Sequence, residues 1–206
     1  MPLFVILFTR AGIEICVTLL PLRYSWIPSF LFYFVSIELC LLYARHNLKI
    51  NVRFGSISKG SSPKMKFLLI GILLPALIPL PMFILNVKAV PAIFLVYISL
   101  FAVVNPFFEE SFWRGLLNNI PFGNGFKILY SSLLFCSTHY FLWGSFWLLP
   151  EPKWIAAVIS TFVMGILWMW FYQRQRNLIY PIISHALVDV FNLSIAMFYG
   201  LKLITI

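Results

Sequence analysis

Acidic residues are scarce in this sequence: Asp and Glu number six against fifteen Lys and Arg, and charged residues of every kind make up only 10% of the 206. An ordinary soluble domain covers its core with about 25% charged residues, so this shortage excludes a water-soluble fold. Cysteine is sparse as well. Cys16, Cys40 and Cys136 all lie in apolar stretches, are odd in number and lack metal-ligand spacing. That excludes a disulfide framework or a cysteine-based zinc site and leaves three small core residues. No internal repeat, low-complexity tract or heptad pattern is present.

What the chain has in abundance is apolar surface, with 62% hydrophobic residues and a mean hydropathy of +0.95. A hydrocarbon core about 30 Å thick takes roughly 20 apolar residues per helix. Apolar runs at 3–22, 26–44, 67–86, 89–108, 126–148, 154–172 and 178–205 predict seven crossings, and a break in the last run between Asn192 and Ser194 would make eight helices. The expectation is an all-α, polytopic bundle of seven to eight transmembrane helices forming one integral membrane domain over 1–206. Within it, 1–88 supplies framing helices and 89–206 the chemically active core. Arg10 and Glu14 interrupt the first run and no small-residue cleavage site follows, so it reads as a span and not as a signal peptide.

Residues 45–66 carry Arg45, Lys49, Arg53, Lys59, Lys64 and Lys66 without one acid, together with Gly55, Gly60, Ser61, Ser62 and Pro63. This is a basic loop, and the positive-inside rule assigns it to the cytoplasm, as it does Arg174 and Arg176 two crossings later. The N-terminus is then cytoplasmic too. Orientation and anionic lipid headgroups account for the net charge of +9, and no nucleic-acid partner is expected. His46 falls in this loop and reads as solvated.

Five of the six acids (Glu14, Glu38, Glu109, Glu110 and Asp189) lie in or beside apolar runs, and only Glu151 sits in an evident loop. A carboxylate near the centre of a span costs about 2.5–3.5 kcal/mol on insertion scales, so each needs a partner, a wet cavity or a function. Glu14 has Arg10 four residues earlier on the same helical face. Glu38 has no charged neighbour at helical spacing and is open to pairing across helices with a residue such as Arg10, or to protonation.

Three segments concentrate polar groups four residues apart in apolar surroundings: 105–114, Phe135 to His139, and His185 to Asp189. The spacing stacks Glu110 over Arg114, Phe135 over His139 and His185 over Asp189. Glu109 and Glu110 point about 100° apart on a helix. Glu110, in register with Arg114, is expected to fix the cytoplasmic end of its helix through a salt bridge. Glu109 is left to face a cavity with Asn105, and Pro106 invites a kink that opens backbone carbonyls to water. A carboxylate held beside a second carboxylate in a low-dielectric cavity suits a general base. Glu109 takes that role, with His139 holding the attacking water and His185, with a neighbouring donor, stabilising the oxyanion of amide hydrolysis. A single histidine in an apolar helix more often bonds a carbonyl of a neighbouring helix. Here two of three histidines and three of six acids fall together, a pattern that packing alone does not require.

Glu109-Glu110-x-x-x-Arg114, Phe135-x-x-x-His139 and His185-x-x-x-Asp189, in that order on late helices, resemble the motifs of the CAAX protease and bacteriocin-processing (CPBP, or Abi) family, whose best-known branch is the type II CAAX prenyl endopeptidase. The resemblance covers roughly residues 100 to 195 and implies an intramembrane endopeptidase, metallo- or glutamate-type. It implies Glu109 and His139 for water activation and His185 with Asp189 for the oxyanion. It also implies a membrane-associated peptide or protein substrate, lipidated or a leader peptide, in a plasma membrane of bacterial type. The prenyl endopeptidase branch has Asn where this chain has Asp189, and an ionised Asp donates nothing to an oxyanion. Asp189 is therefore open to three roles: protonated donor, orienter of His185, or ligand of a divalent metal with Glu109, His139 and His185. Two histidines and two carboxylates suit zinc and a bare water equally. Asn192, seven residues beyond His185, is a candidate for the missing amide donor. Two rival readings remain. One is a non-catalytic immunity or regulatory protein of the same fold, and the other a proton-relay transporter, which would show inverted repeats that are missing here.

Overall fold

The computed structural model describes residues 1–52, 68–143 and 153–193. Residues 53–66 of the basic loop, Glu151 and the last run beyond Leu193 lie outside them. Among the described residues the architecture is all-helical. In chain order the helices are α1 (Pro2–Leu19), α2 (Leu22–Asn47), α3 (Leu69–Leu77), α4 (Leu80–Ala89), α5 (Ala92–Asn119), α6 (Asn124–Thr138), α7 (Lys153–Gln175) and α8 (Ile179–Phe191). By length and composition α1, α2, α5 and α7 are four candidate spans, and α3 with α4 makes a fifth if the pair counts as one. Leu7, Leu19, Leu31, Leu100 and Val103 all stand exposed on these helices. A band of large apolar side chains this extensive is a lipid-facing surface. The chain is a multi-pass membrane protein.

Proline marks many of the boundaries. Pro2 opens α1, and Pro21 and Pro91 stand immediately before α2 and α5, positions where the missing amide proton costs nothing. The run expected at 67–86 is not one straight helix: α3 and α4 meet at 43°. Pro79 and Pro81 remove amides from the ladder at that point. Pro106, by contrast, sits inside an uninterrupted α-helical stretch, Ala92–Glu110, and the expected kink there is replaced by a π-turn at Ser111–Leu116. The helix then continues to Asn119, eleven residues past the end of the apolar run, because Glu109, Glu110, Arg114 and Asn118 are buried by neighbours instead of reaching water. Helix α2 likewise runs to Asn47, so Arg45 and His46 form its last turn and not the start of a loop, and the Arg45 cation meets the negative end of the helix dipole.

Helix α1 packs on α2, α5 on α8 and α6 on α7. Small residues permit the close approaches: a Cβ at Gly12 would lie 2.4 Å from the Phe32 ring, and one at Gly165 would lie 3.2 Å from the Ser132 Cα. The main core joins Tyr33 and Ile37 of α2 to Phe112 and Trp113 of α5, Phe135 of α6, Trp168 of α7 and Val188 of α8. Cys16 and Cys40 are buried, Cys136 is half-buried, and all are free thiols.

Among the described residues three π-turns occur, at Leu69–Leu73, Ser111–Leu116 and His139–Trp143. A π-turn shifts the hydrogen-bond ladder and strands a carbonyl, and each of these three receives a side chain from another helix. Ser184 of α8 donates to the Ile72 carbonyl at 3.0 Å, Ser131 of α6 to Trp113 at 2.5 Å, and Arg10 of α1 to Phe141 at 3.1 Å. The Arg10–Glu14 ion pair forms as its spacing suggests. Arg10 thereby does more than neutralise Glu14, since it ties α1 to the turn that begins at His139. Glu38 is exposed and makes no ion pair among the described residues.

Candidate active site

Helix α5 contributes Asn105, Glu109, Glu110 and Arg114, all at most 4% exposed. Helix α8 brings His185 and Asp189 against them, one turn apart and buried. His185 stands between the adjacent glutamates: its Nδ1 lies 2.7 Å from Glu110 Oε1, and its Nε2 lies 3.4 Å from Glu109 Oε2 and 3.6 Å from Asp189 Oδ1. Trp168 stacks on the imidazole at 4.5 Å and 19°, and its own indole N–H is held by Ser184 at 2.8 Å. The ring is thus clamped in its plane by a carboxylate and across its face by an indole.

Glu110 does form the salt bridge with Arg114, at 3.1 Å, but both partners are wholly buried and do not sit at an exposed helix end. The same Oε1 that accepts from Arg114 faces His185, so Glu110 belongs to the cluster. The Arg114 Nε and Nη2 make no hydrogen bond among the described residues. The guanidinium instead lies 4.3 Å from the Phe135 ring centre and 5.1 Å from that of Trp168, where the π faces offset part of its desolvation.

Glu109 uses its two oxygens differently. Oε1 accepts a 2.8 Å hydrogen bond from the Tyr33 hydroxyl, whereas Oε2 has none among the described residues and faces His185 Nε2. Asn105, which spacing aligns with Glu109, turns its amide to Asp189 and donates to Oδ2 at 3.0 Å. The amide beside Asp189 therefore comes from α5. Asn192 forms the C-cap of α8, its backbone N–H on the Val188 carbonyl at 2.9 Å.

His139 opens the π-turn after α6. Its Nδ1 lies 2.9 Å from the Phe135 carbonyl, which only accepts, so Nδ1 carries the proton and Nε2 is the basic nitrogen of the neutral ring. Phe135 links the two histidines through edge contacts, with ring centres 4.5 Å from His139 and 5.9 Å from His185. This explains the apolar residue of that motif as a spacer between imidazoles.

Among the described residues no group of three or more His, Cys, Asp or Glu is arranged to hold a metal ion. His185 directs both ring nitrogens at carboxylates, and Glu109 Oε1 is engaged by a phenol. The residues as arranged do not fit a zinc centre. They form instead a set of three carboxylates around one imidazole, of which Glu110 is hydrogen-bonded to it.

Residues 91–191 match the family model described as type II CAAX prenyl endopeptidase Rce1-like. Over that stretch the chain is similar to Rce1-like proteins. The match is consistent with the CPBP resemblance, and the Rce1-like segment holds every motif residue from Asn105 to Asp189. No curated protein and no solved structure matches the chain. Tyr33 lies outside the Rce1-like segment and outside the motifs. Trp168 and Ser184 lie inside the segment but are likewise no part of the motifs. The only trace of Trp168 in the sequence is one aromatic among several in an apolar run, and Tyr33 leaves no more.

Proposed function

We propose that this protein is an intramembrane endopeptidase that hydrolyses a peptide bond of a membrane-associated protein or peptide with water activated at Glu109 and His139. The observation that carries the reading is Glu109 Oε2, a buried carboxylate oxygen with no hydrogen bond among the described residues, 3.4 Å from His185 Nε2. Such an atom is costly to leave unsatisfied in a dry site, and a water bound there would lie next to the His185 imidazole.

In this mechanism Glu109 Oε2 takes a proton from water as its oxygen attacks the scissile carbonyl carbon, with His139 Nε2 aligning the water. His185, as the imidazolium with its Nδ1–H on Glu110, donates its Nε2–H to the oxyanion, and collapse breaks the C–N bond as Glu109 returns the proton to the leaving amine. General-base assistance contributes about 10²- to 10⁴-fold and one oxyanion donor about 10²- to 10³-fold. Asp189, accepting from Asn105, acts as an anion that orients and balances His185, so the donor role falls to the histidine. A bundle of seven to eight crossings with a cytoplasmic N-terminus would open this site toward the inner leaflet of a bacterial-type plasma membrane. That location suits a lipidated C-terminal tail or a leader peptide.

The test uses purified protein in proteoliposomes with internally quenched peptides, farnesylated CAAX-type and unmodified, with and without a chelator. We expect cleavage that the chelator leaves intact and that Glu109→Ala and His139→Ala abolish. Cleavage surviving Glu109→Ala overturns the mechanism. No cleavage of any peptide by the parent protein, with a cellular phenotype that survives both substitutions, identifies a non-catalytic immunity or regulatory protein.

A further inference from the structure

Tyr33 sits on α2, 76 residues before Glu109 in the chain, and is completely buried in the core. Its hydroxyl touches two residues of α5: it donates to Glu109 Oε1 at 2.8 Å and accepts from the Trp113 indole N–H at 3.0 Å. An indole N–H only donates. Trp113 therefore occupies the phenolic oxygen as an acceptor, and the one phenolic proton is committed to Glu109. Glu109 as the ionised base only accepts, which sets the direction of the bond.

Trp113 is held in its turn. It lies in the π-turn that follows Glu110, and its stranded carbonyl takes the Ser131 hydroxyl at 2.5 Å. Its ring packs edge-on against Phe112 at 4.7 Å. The string Ser131–Trp113–Tyr33–Glu109 thus runs from α6 through α5 and α2 to one oxygen of the carboxylate. The other oxygen is left to face His185.

We propose that Tyr33 is a positioning residue for proteolysis, holding Glu109 Oε1 so that Oε2 alone meets the attacking water. The inference rests on the endopeptidase reading above, and it makes α2, which lies beyond the family match, a necessary part of the site. A carboxylate on a flexible side chain otherwise has two equivalent oxygens and free χ rotation. The charge-assisted bond from a rigid phenol removes that equivalence and sets the basic lone pair toward the imidazole.

The experiment compares the parent, Tyr33→Phe, Trp113→Phe, the double variant and Glu109→Ala on the peptide that the parent cleaves fastest. Thermal unfolding in detergent serves as the check on folding. Tyr33→Phe keeps the ring and its packing, so we expect a folded protein whose kcat falls about 10- to 100-fold while KM stays within about twofold. Trp113→Phe frees the phenol to turn and lowers kcat about threefold, and the double variant is no slower than Tyr33→Phe alone, because both act through one bond. A purely structural role would move KM or stability and would add across the two sites. If Glu109→Ala is inactive and Tyr33→Phe keeps kcat within about twofold of the parent, the role of Tyr33 is overturned and the endopeptidase reading stands. If the parent cleaves nothing, or Glu109→Ala remains active, both fall.

Discussion

Two arginine–glutamate pairs in this protein share the same four-residue spacing and different fates. Arg10–Glu14 lies on the outer face of α1, its side chains 54% and 58% exposed, and Glu110–Arg114 lies at the centre with both at 0%. Each pair reaches a motif histidine. Arg10 holds a carbonyl of the turn that starts at His139, so it acts on backbone. Glu110 bonds the His185 ring directly, so it acts on a side chain. The comparison shows that an ion pair at helical spacing is a structural prop when one partner meets only a peptide group. It becomes part of a site when a third ionisable group shares the same oxygen.

Breaking the inner pair on one side gives the largest expected effect. Arg114→Ala strands a buried carboxylate and empties the space over Phe135 and Trp168, and should cost about 3–5 kcal/mol of stability, read from unfolding in mixed micelles. Near-parental stability would mean that the two pairs are energetically alike. Glu110→Gln keeps the volume and removes the charge that aligns His185. Loss of such an outer partner typically costs 10- to 100-fold, so kcat should drop by about that factor with folding preserved. Asn105→Leu tests the neighbouring amide: Asp189 Oδ2 loses its donor, with about 1–3 kcal/mol lost from kcat/KM. Replacing both outer partners, Arg10→Leu with Glu14→Leu, removes charge from an apolar helix and one carbonyl contact, so folding should persist and kcat should fall only about threefold. A loss as large as that of Glu110→Gln would show that the His139 turn depends on α1 as strongly as His185 depends on α5. Smallest of all, Asn192→Ala should leave cleavage within about twofold. An effect matching Asn105→Leu would return the amide role to Asn192.

The legible parts of this molecule are those governed by local spacing. Arg10 with Glu14 and Glu110 with Arg114 pair as their positions on one helical face require, and Phe135 meets His139 edge-on for the same reason. Helix-forming runs are visible because apolar residues persist for a bilayer's thickness. The π-turns were not legible, since they arise where neighbouring helices offer Ser131, Ser184 or Arg10 to a stranded carbonyl. The bend between α3 and α4 was written in Pro79 and Pro81, but hydropathy averages over prolines.

Composition and helical periodicity by themselves determined a membrane-embedded helical protein with its scarce acids and histidines in three short windows, because burial of uncompensated charge is too costly to scatter at random. Only the tertiary structure decided which oxygen of Glu109 is tied and which is open. It also decided that Asn105 of α5 donates to Asp189 and that Tyr33 and Trp168 touch motif residues. Those choices depend on helices brought together from distant parts of the chain, where distances of about 3 Å separate a hydrogen bond from no interaction, and a periodicity along one helix carries no information about its neighbour.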